Sequence, residues 1–370
     1  MKTKICKVTV GCTIACSGVH AHAQSSVTLY GLVDAGFTFT NNQRGEKAYQ
    51  ATASNYAGSR WGIQGAEDIG GGRKVLFKLE NGFNPENGAL AQGGRLFGRS
   101  AWVGISDPSY GSVTFGRQYN SVQDFLPYLQ ANGVGTLSGY GNAIYDTDAI
   151  NNTYRSQNSV KYTSPTIGGL TGSALYGFSN AAGGFASNRT WSVGADYVNG
   201  PLRLDAAYAL LDNPGSSLGG AIGSDNYFSL ASSIISNVKR NRVAGGGAAY
   251  TFGTATLGLL YTNSTFDLQT GGSLHFGNYE VNLKYMLTPA VQLGLGYMYT
   301  TQRSTSATAT NAHYHQIGAG TNYFLSKRTD VYLNAFYQRA SGANAWIEQD
   351  AAPSSNNHQI VGVAGIRHRF

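Results

Sequence analysis

Sixteen segments of this 370-residue chain alternate large apolar side chains with small or polar ones at every second position. A period of two places the two sets on opposite faces of a strand. Sixteen such segments in succession call for one sheet with an apolar face and a polar face. The first covers residues 27–37, and seven hairpin pairs follow: 59–68 with 73–83, 99–107 with 111–118, 159–164 with 170–179, 190–198 with 202–211, 242–252 with 255–266, 276–287 with 291–302, and 315–325 with 331–340. The last, 359–370, ends on Phe370. An even strand count and a terminal aromatic suit a closed antiparallel barrel whose rings sit at a membrane–water boundary.

Composition removes the competing classes. Charged residues make up 12% of the chain, against about 25% in soluble domains. Mean hydropathy is −0.21, and no apolar run reaches the length of a transmembrane helix. Glycine (50) and tyrosine (24) are abundant. A chain neither charged like a soluble protein nor apolar like a helical membrane protein fits strands that face lipid on one side and water on the other.

Lys2, Lys4 and Lys7 precede a modestly apolar stretch and then Ala21-His22-Ala23. That order of basic, apolar and small-x-small residues predicts a secretory signal peptide over 1–23, leaving a single barrel domain over 24–370. Cys6, Cys12 and Cys16 all lie in the leader, so the mature chain is expected to hold no disulfide, thiolate nucleophile or cysteine metal site. Loss of three lysines lowers the net charge from +7 to +4. That is too weak for a nucleic-acid partner.

The connections alternate in length. Gly253-Thr254, Thr288-Pro289 and Lys327-Arg328 are short, whereas 213–239 and 342–357 are long and polar. The longest, residues 119–158, has no strand pattern. A barrel this wide encloses a water-filled channel rather than a packed core. A long loop folded inward would narrow that channel, and 119–158 is therefore expected to be the constriction loop.

Several runs resemble the Gram-negative general-diffusion porins of the beta-proteobacterial type: Ser26-Val27-Thr28-Leu29-Tyr30-Gly31, the stretch 58–68 beginning Gly58-Ser59-Arg60-Trp61, 77–83, 99–105, 111–118 and the closing 365–370. The resemblance implies an all-β, 16-stranded antiparallel transmembrane β-barrel with an inward-folded third extracellular loop. It also implies a homotrimeric, non-enzymatic channel of the outer membrane that passes ions and small hydrophilic solutes. Partners would be outer-membrane lipids and lipopolysaccharide, together with the barrel-assembly machinery, which would read the C-terminal strand and Phe370. No cofactor is expected.

In that family, basic wall residues face acids on the inward loop. The resemblance places Arg60, Arg99 and Arg117 on the wall, with Arg155 as a further candidate. Alternation independently sends Arg99, Lys78 and Glu80 toward water, because Trp102, Phe77 and Leu79 take the apolar face. It puts Arg117 on the face of Phe115 unless the strand kinks near Gly116. The acidic candidates are Glu80 and the loop residues Asp124, Asp146 and Asp148. The loop lacks the compact Pro-Glu-Phe-Gly-Gly pattern of enterobacterial relatives, which leaves open which acid opposes the arginines. Excess basic charge predicts weak anion preference. His313 and His315 share one strand face, but a defined metal site needs more ligands. Two other readings stand beside the channel. One is a surface-exposed adhesin or host-interacting barrel; the other is a barrel-scaffold enzyme, for which the rim offers no convincing nucleophile–base set.

Overall fold

The computed structural model describes residues 26–151, 154–214, 220–223, 237–306, 310–347 and 352–370. The leader expected over 1–23, with its three cysteines, lies outside the described residues.

Strands β1 (Ser26–Gln43), β2 (Glu46–Ala53), β3 (Arg60–Gly70), β4 (Arg73–Gly82), β5 (Ser100–Asp107), β6 (Gly111–Gln118), β7 (Ser156–Thr163), β8 (Leu170–Gly177) and β9 (Thr190–Asn199) form one side of a single antiparallel sheet. It continues through β10 (Leu202–Asp212), β11 (Val238–Phe252), β12 (Ala255–Leu268), β13 (Ser273–Thr288), β14 (Val291–Ser304), β15 (Ala312–Phe324), β16 (Thr329–Ser341) and β17 (His358–Arg369). Apart from β2 and β3, which both pair with β1, each strand pairs with its sequence neighbour, and β17 returns to β1 with Leu32 opposite Arg369 and Thr40 opposite Val361. The sheet is a closed barrel.

Seventeen strand segments make sixteen staves. The upper half of β1 pairs with β2 (Ala35 opposite Ala53) and the lower half with β3 (Leu32 opposite Arg60). Thus β2 and β3 are one stave interrupted at residues 54–59. The sequence pattern located β3 and missed β2, whose Lys47, Ala48 and Gln50 blur the alternation. The interruption is pinned from inside. Asp34 accepts the Tyr56 and Ala57 amides (2.7 and 3.0 Å) and the Tyr332 hydroxyl (2.6 Å).

The faces sort as the alternation requires. On β14, Gln292, Met298, Thr300 and Gln302 are buried toward the lumen, while Leu293, Leu295 and Tyr297 are exposed outside. No helix among the described residues is long enough to cross a membrane; the strands do that work. Closure leaves no free sheet edge, so the backbone groups of every stave can be satisfied within the bilayer.

Phe370 lies just past β17. Its amide donates to Gly31 O and its carbonyl accepts from Gly31 N, at 3.0 and 3.1 Å. Its ring covers Gly31: a Cβ there would stand 2.4 Å from Phe370 Cζ. The barrel therefore closes on a ring-over-glycine contact between its first and last staves.

Candidate functional site

The long connection after β6 crosses the lumen and comes back. It leaves the wall through a one-turn helix, Ser121–Phe125, whose cap Asn120 accepts from the Val122 and Gln123 amides and bonds Tyr154 of the returning limb. Val122, Leu126 and Leu129 then pack onto an apolar inner wall that includes Ala207, Ala209, Val243 and Leu260. Further on, inward polar side chains hold the loop backbone. Glu280 accepts the Ala131 amide (2.7 Å), Asn282 donates to Leu129 O (2.8 Å), and Gln292 donates to Gly135 O (2.7 Å). On the far side, Asn334 accepts the Ser138 amide and Gln316 donates to Tyr140 O. Backbone polar groups brought into a barrel need such partners, and the inner face supplies them.

What remains open is a cavity of ≈ 680 Å³ between this loop and the wall. Its wall side presents Arg60, Arg99, Arg367 and Arg369, and Arg155 joins them from the end of the loop's returning limb. Its loop side presents Pro127, Gln130, Asn132, Gly133, Val134 and Gly135, which carry no charge.

The arginines are held differently. Arg99 Nε meets Glu80 Oε1 at 2.7 Å, and its Nη2 donates to the Tyr119 hydroxyl at 2.9 Å. Glu80 also takes Lys78 Nζ at 3.3 Å and the Tyr30 hydroxyl at 2.8 Å. Arg155 stacks over the Tyr119 ring at 5.3 Å and donates to its hydroxyl at 3.3 Å. Arg367 grips Asp330 with two bonds of 3.1 and 3.0 Å and lies 4.8 Å above the Tyr56 ring. Arg369 reaches the same carboxylate at 3.1 Å. Arg60 forms no ion pair among the described residues. With Lys78, six cations stand beside the three carboxylates Asp34, Glu80 and Asp330, a local excess of positive charge.

Tyr119 sits where this field is strongest. Burial alone would raise its phenol, but Arg155 and Arg99 outweigh burial and bring it down to about 8. The hydroxyl accepts from two guanidiniums, which favours the phenolate.

The structure brings Arg60, Arg99 and Arg155 together around the cavity, with Lys78 and Glu80 directly behind. Arg117 is placed elsewhere. Gly116 adopts φ 136, and the register against β7 shifts between Gly116 and Gln118, so the expected kink is present. Only glycine fits, because a Cβ would lie 2.2 Å from Ala101 O. The Arg117 guanidinium bonds Gly98 O (2.7 Å) and Gln157 Oε1 (3.2 Å), tying two loop bases rather than lining the cavity. Asp124 and Asp148 are held by partners other than the arginines. Asp124 pairs with Lys161 of β7 at 2.9 Å. Asp146 accepts the Asn151 amide, and Asp148 is buried against Thr262 and the Ile150 amide. Burial pushes the Asp148 carboxyl up to about 6.

Sequence reasoning missed Arg367, Arg369 and Tyr119. Parity could have found the first, since Gln359, Val361, Val363 and Arg367 share one face of β17 and are all buried inward. His313 and His315 face outward, each bonded to a tyrosine hydroxyl. No group of three or more metal-ligating side chains occurs among the described residues.

Comparison with known proteins agrees with this architecture. A family model described as Gram-negative porin matches residues 8–343. An outer membrane porin protein of Bordetella pertussis is 30% identical, over 95% of this chain and 96% of its own length. Outer membrane porin protein 32 of Delftia acidovorans is 28% identical, over 96% of this chain and 97% of its own. Among solved structures, an anion-selective porin from Comamonas acidovorans superposes with a TM-score of 0.76 at 25% identity, covering 94% of this chain and all of that one.

Proposed function

The chain belongs to the Gram-negative porin family and is an outer-membrane diffusion channel, and on that premise we propose that its channel prefers anions through an arginine-lined eyelet. The observation that carries this is the basic charge of the cavity: Arg60, Arg99, Arg367 and Arg369 on the wall, with Arg155 at the end of the loop's returning limb, face a stretch of neutral loop side chains. Lumen cations unopposed by loop acids raise the local concentration of anions and repel cations. The Comamonas structure, described as anion-selective, supports the same reading.

In this account Arg60, Arg99 and Arg155, with Lys78 and the newly placed Arg367 and Arg369, form the basic wall. Glu80 fixes Arg99 and Lys78 without cancelling the wall. Residues 119–158 form the constriction, through which ions and small hydrophilic solutes pass in their hydrated state. Asp124, Asp146 and Asp148 anchor the loop rather than face the stream. Arg117 braces the loop bases.

The reading further includes export by the 1–23 leader, a homotrimer, contact with outer-membrane lipids and lipopolysaccharide, and recognition of the Phe370 strand by the barrel-assembly machinery. No chemistry on the wall asks for a catalytic role. Reversal potentials across a salt gradient test the central part. Anion preference is expected at low ionic strength and should shrink at high ionic strength, where screening shortens the reach of the arginines. Cation preference at low salt overturns it. Closure in three equal conductance steps is the expected signature of the trimer.

A further inference from the structure

The outer wall carries a second patterned surface that the channel does not use. One cross-strand row runs through six staves, each residue directly opposite the next: Gly246, Tyr261, Tyr279, Tyr299, His315 and Arg339, with His358 completing it on β17. All face outward by the alternation that buries Thr262, Glu280, Thr300, Gln316 and Gln338 inside. Thus the row passes from small and aromatic to basic in a single line.

Chemistry along the row is continuous. Tyr261 and Tyr279 rings lie 4.7 Å apart, and Tyr299 lies 4.8 Å from His315. Tyr297 and Tyr299 hydroxyls bond Nδ1 of His315 and His313 at 2.8 and 3.1 Å. Each ring keeps Nε2 free of this bond, and where the hydroxyl donates to Nδ1, or the imidazole is protonated beside an anion, Nε2–H is a donor toward the surroundings. Arg339 stands beside His315, and neither it nor Arg303, further up β14, has a carboxylate within 4 Å among the described residues. At the other end, an outward groove of ≈ 350 Å³ is bordered by Leu259, Tyr261, Tyr279, Val281 and Tyr297.

Strands of such barrels tilt by about 35–45°, so a row perpendicular to them must change depth in the membrane. The apolar groove then belongs to the acyl region, and the His–Arg end belongs at the headgroups. From this juxtaposition, and resting on the outer-membrane reading above, we infer that this wall binds one lipid bearing a phosphomonoester headgroup. Its acyl chain lies in the Tyr261–Tyr297 groove, and its phosphate is held by His313, His315 and Arg339. Arginine and imidazole donors match phosphate oxygens in charge and in hydrogen-bonding sense. The groove selects a lipid over a free anion.

The test uses the full mature chain, folded in nanodiscs of phosphatidylcholine doped with phosphatidic acid or with diacylglycerol of the same chains. Lipids retained by the protein are counted by native mass spectrometry after release. The wild type is expected to retain phosphatidic acid in preference to diacylglycerol, and excess inorganic phosphate should not displace it. The double variant His315→Gln/Arg339→Gln is expected to lose roughly tenfold in retention, a typical loss for charge-assisted phosphate bonds. Equal retention of the two dopants by the wild type, displacement by inorganic phosphate alone, or unchanged retention in the variant overturns the inference. Channel conductance measured on the same preparations separates this failure from failure of the porin reading, because the site lies outside the lumen.

Discussion

Tyr119 is the residue whose chemistry is most finely set by its neighbours. Its phenol accepts from Arg99 and Arg155, lies within electrostatic reach of Arg60 and Glu80, and has its own carbonyl bonded by Lys161. Its proton leaves near pH 8 rather than near 10. Below that value the phenol is neutral and the arginines act at full strength; above it a phenolate offsets one of them. Anion preference should therefore fall as pH rises from about 7 to about 9. Tyr119→Phe should abolish that fall while leaving preference at neutral pH close to wild type. Reversal potentials at the two pH values check this, and an equal fall in the Phe variant would contradict it.

At this scale the sequence was informative where side-chain direction follows strand parity, as at Lys78 and Glu80. Parity was wrong at Arg99: Trp102, expected on the apolar face, stands opposite Lys78 on the inward face while Val103 and Ile105 are exposed outside, so Arg99 reaches the cavity from just before β5 and not by alternation. The sequence also failed where direction depends on a local break. Arg117 follows a glycine bulge that parity cannot aim, and Tyr119 lies beyond the last regular residue of β6, where no periodicity applies.

The element that crosses the lumen is the long loop, and its anchoring is of two kinds. Leu126 and Leu129 are fully buried against the inner wall. Truncating either to alanine removes transfer energy and leaves a cavity, for a loss of about 2–5 kcal/mol of anchoring. Single-channel recordings of Leu126→Ala should show larger open-state current noise; noise equal to wild type would contradict the anchoring role. The second kind is polar and pH-dependent. Burial raises the Asp148 carboxyl to about 6 in the folded loop, whereas a solvated aspartate titrates near 3.9. A group whose folded value is raised stabilises most below the solvated value and loses that contribution as pH climbs through the folded one. Loop noise should thus increase between about pH 4 and about pH 6. Asp148→Asn, which does not titrate and keeps one acceptor oxygen for the Ile150 amide while its NH2 replaces the oxygen that Thr262 meets, should flatten the rise.

The existence of this loop was legible from the length of a stretch without alternation. Its path was not. The wall groups that receive it, Glu280, Asn282, Gln292, Gln316 and Asn334, are scattered over four strands more than a hundred residues away. In the sequence each reads as an ordinary water-facing residue. The same distance hid the neutral stretch of the cavity's loop side, because Asp124 and Asp148 find their partners on β7, on β12 and within the loop.

For the molecule as a whole, closure and charge asymmetry are the two properties that matter. Sixteen staves were countable because alternation survives in nearly all of them, and only the interrupted second stave concealed its upper half, β2. The closing ladder of β17 on β1 is extended by the last residue. Phe370 makes two backbone bonds to Gly31 and roofs it with its ring. Deleting Phe370 should lower the yield of heat-sensitive trimer on unboiled gels while leaving selectivity intact in molecules that do insert; normal trimer yield would contradict this. Gly31→Leu should act in the same direction, because any side chain there displaces the ring.

Charge asymmetry rests on Arg60, the wall arginine that lines the cavity without an ion pair among the described residues. Its removal disturbs no salt bridge, so its effect on permeation is the cleanest available. The decisive measurement is the zero-current potential of single channels in a low-ionic-strength salt gradient, for the wild type and for Arg60→Gln. The eyelet account predicts an anion-signed potential in the wild type that moves clearly toward zero in the variant at unchanged trimer yield. A cation-signed wild type, or a variant with the same potential as the wild type, would contradict it.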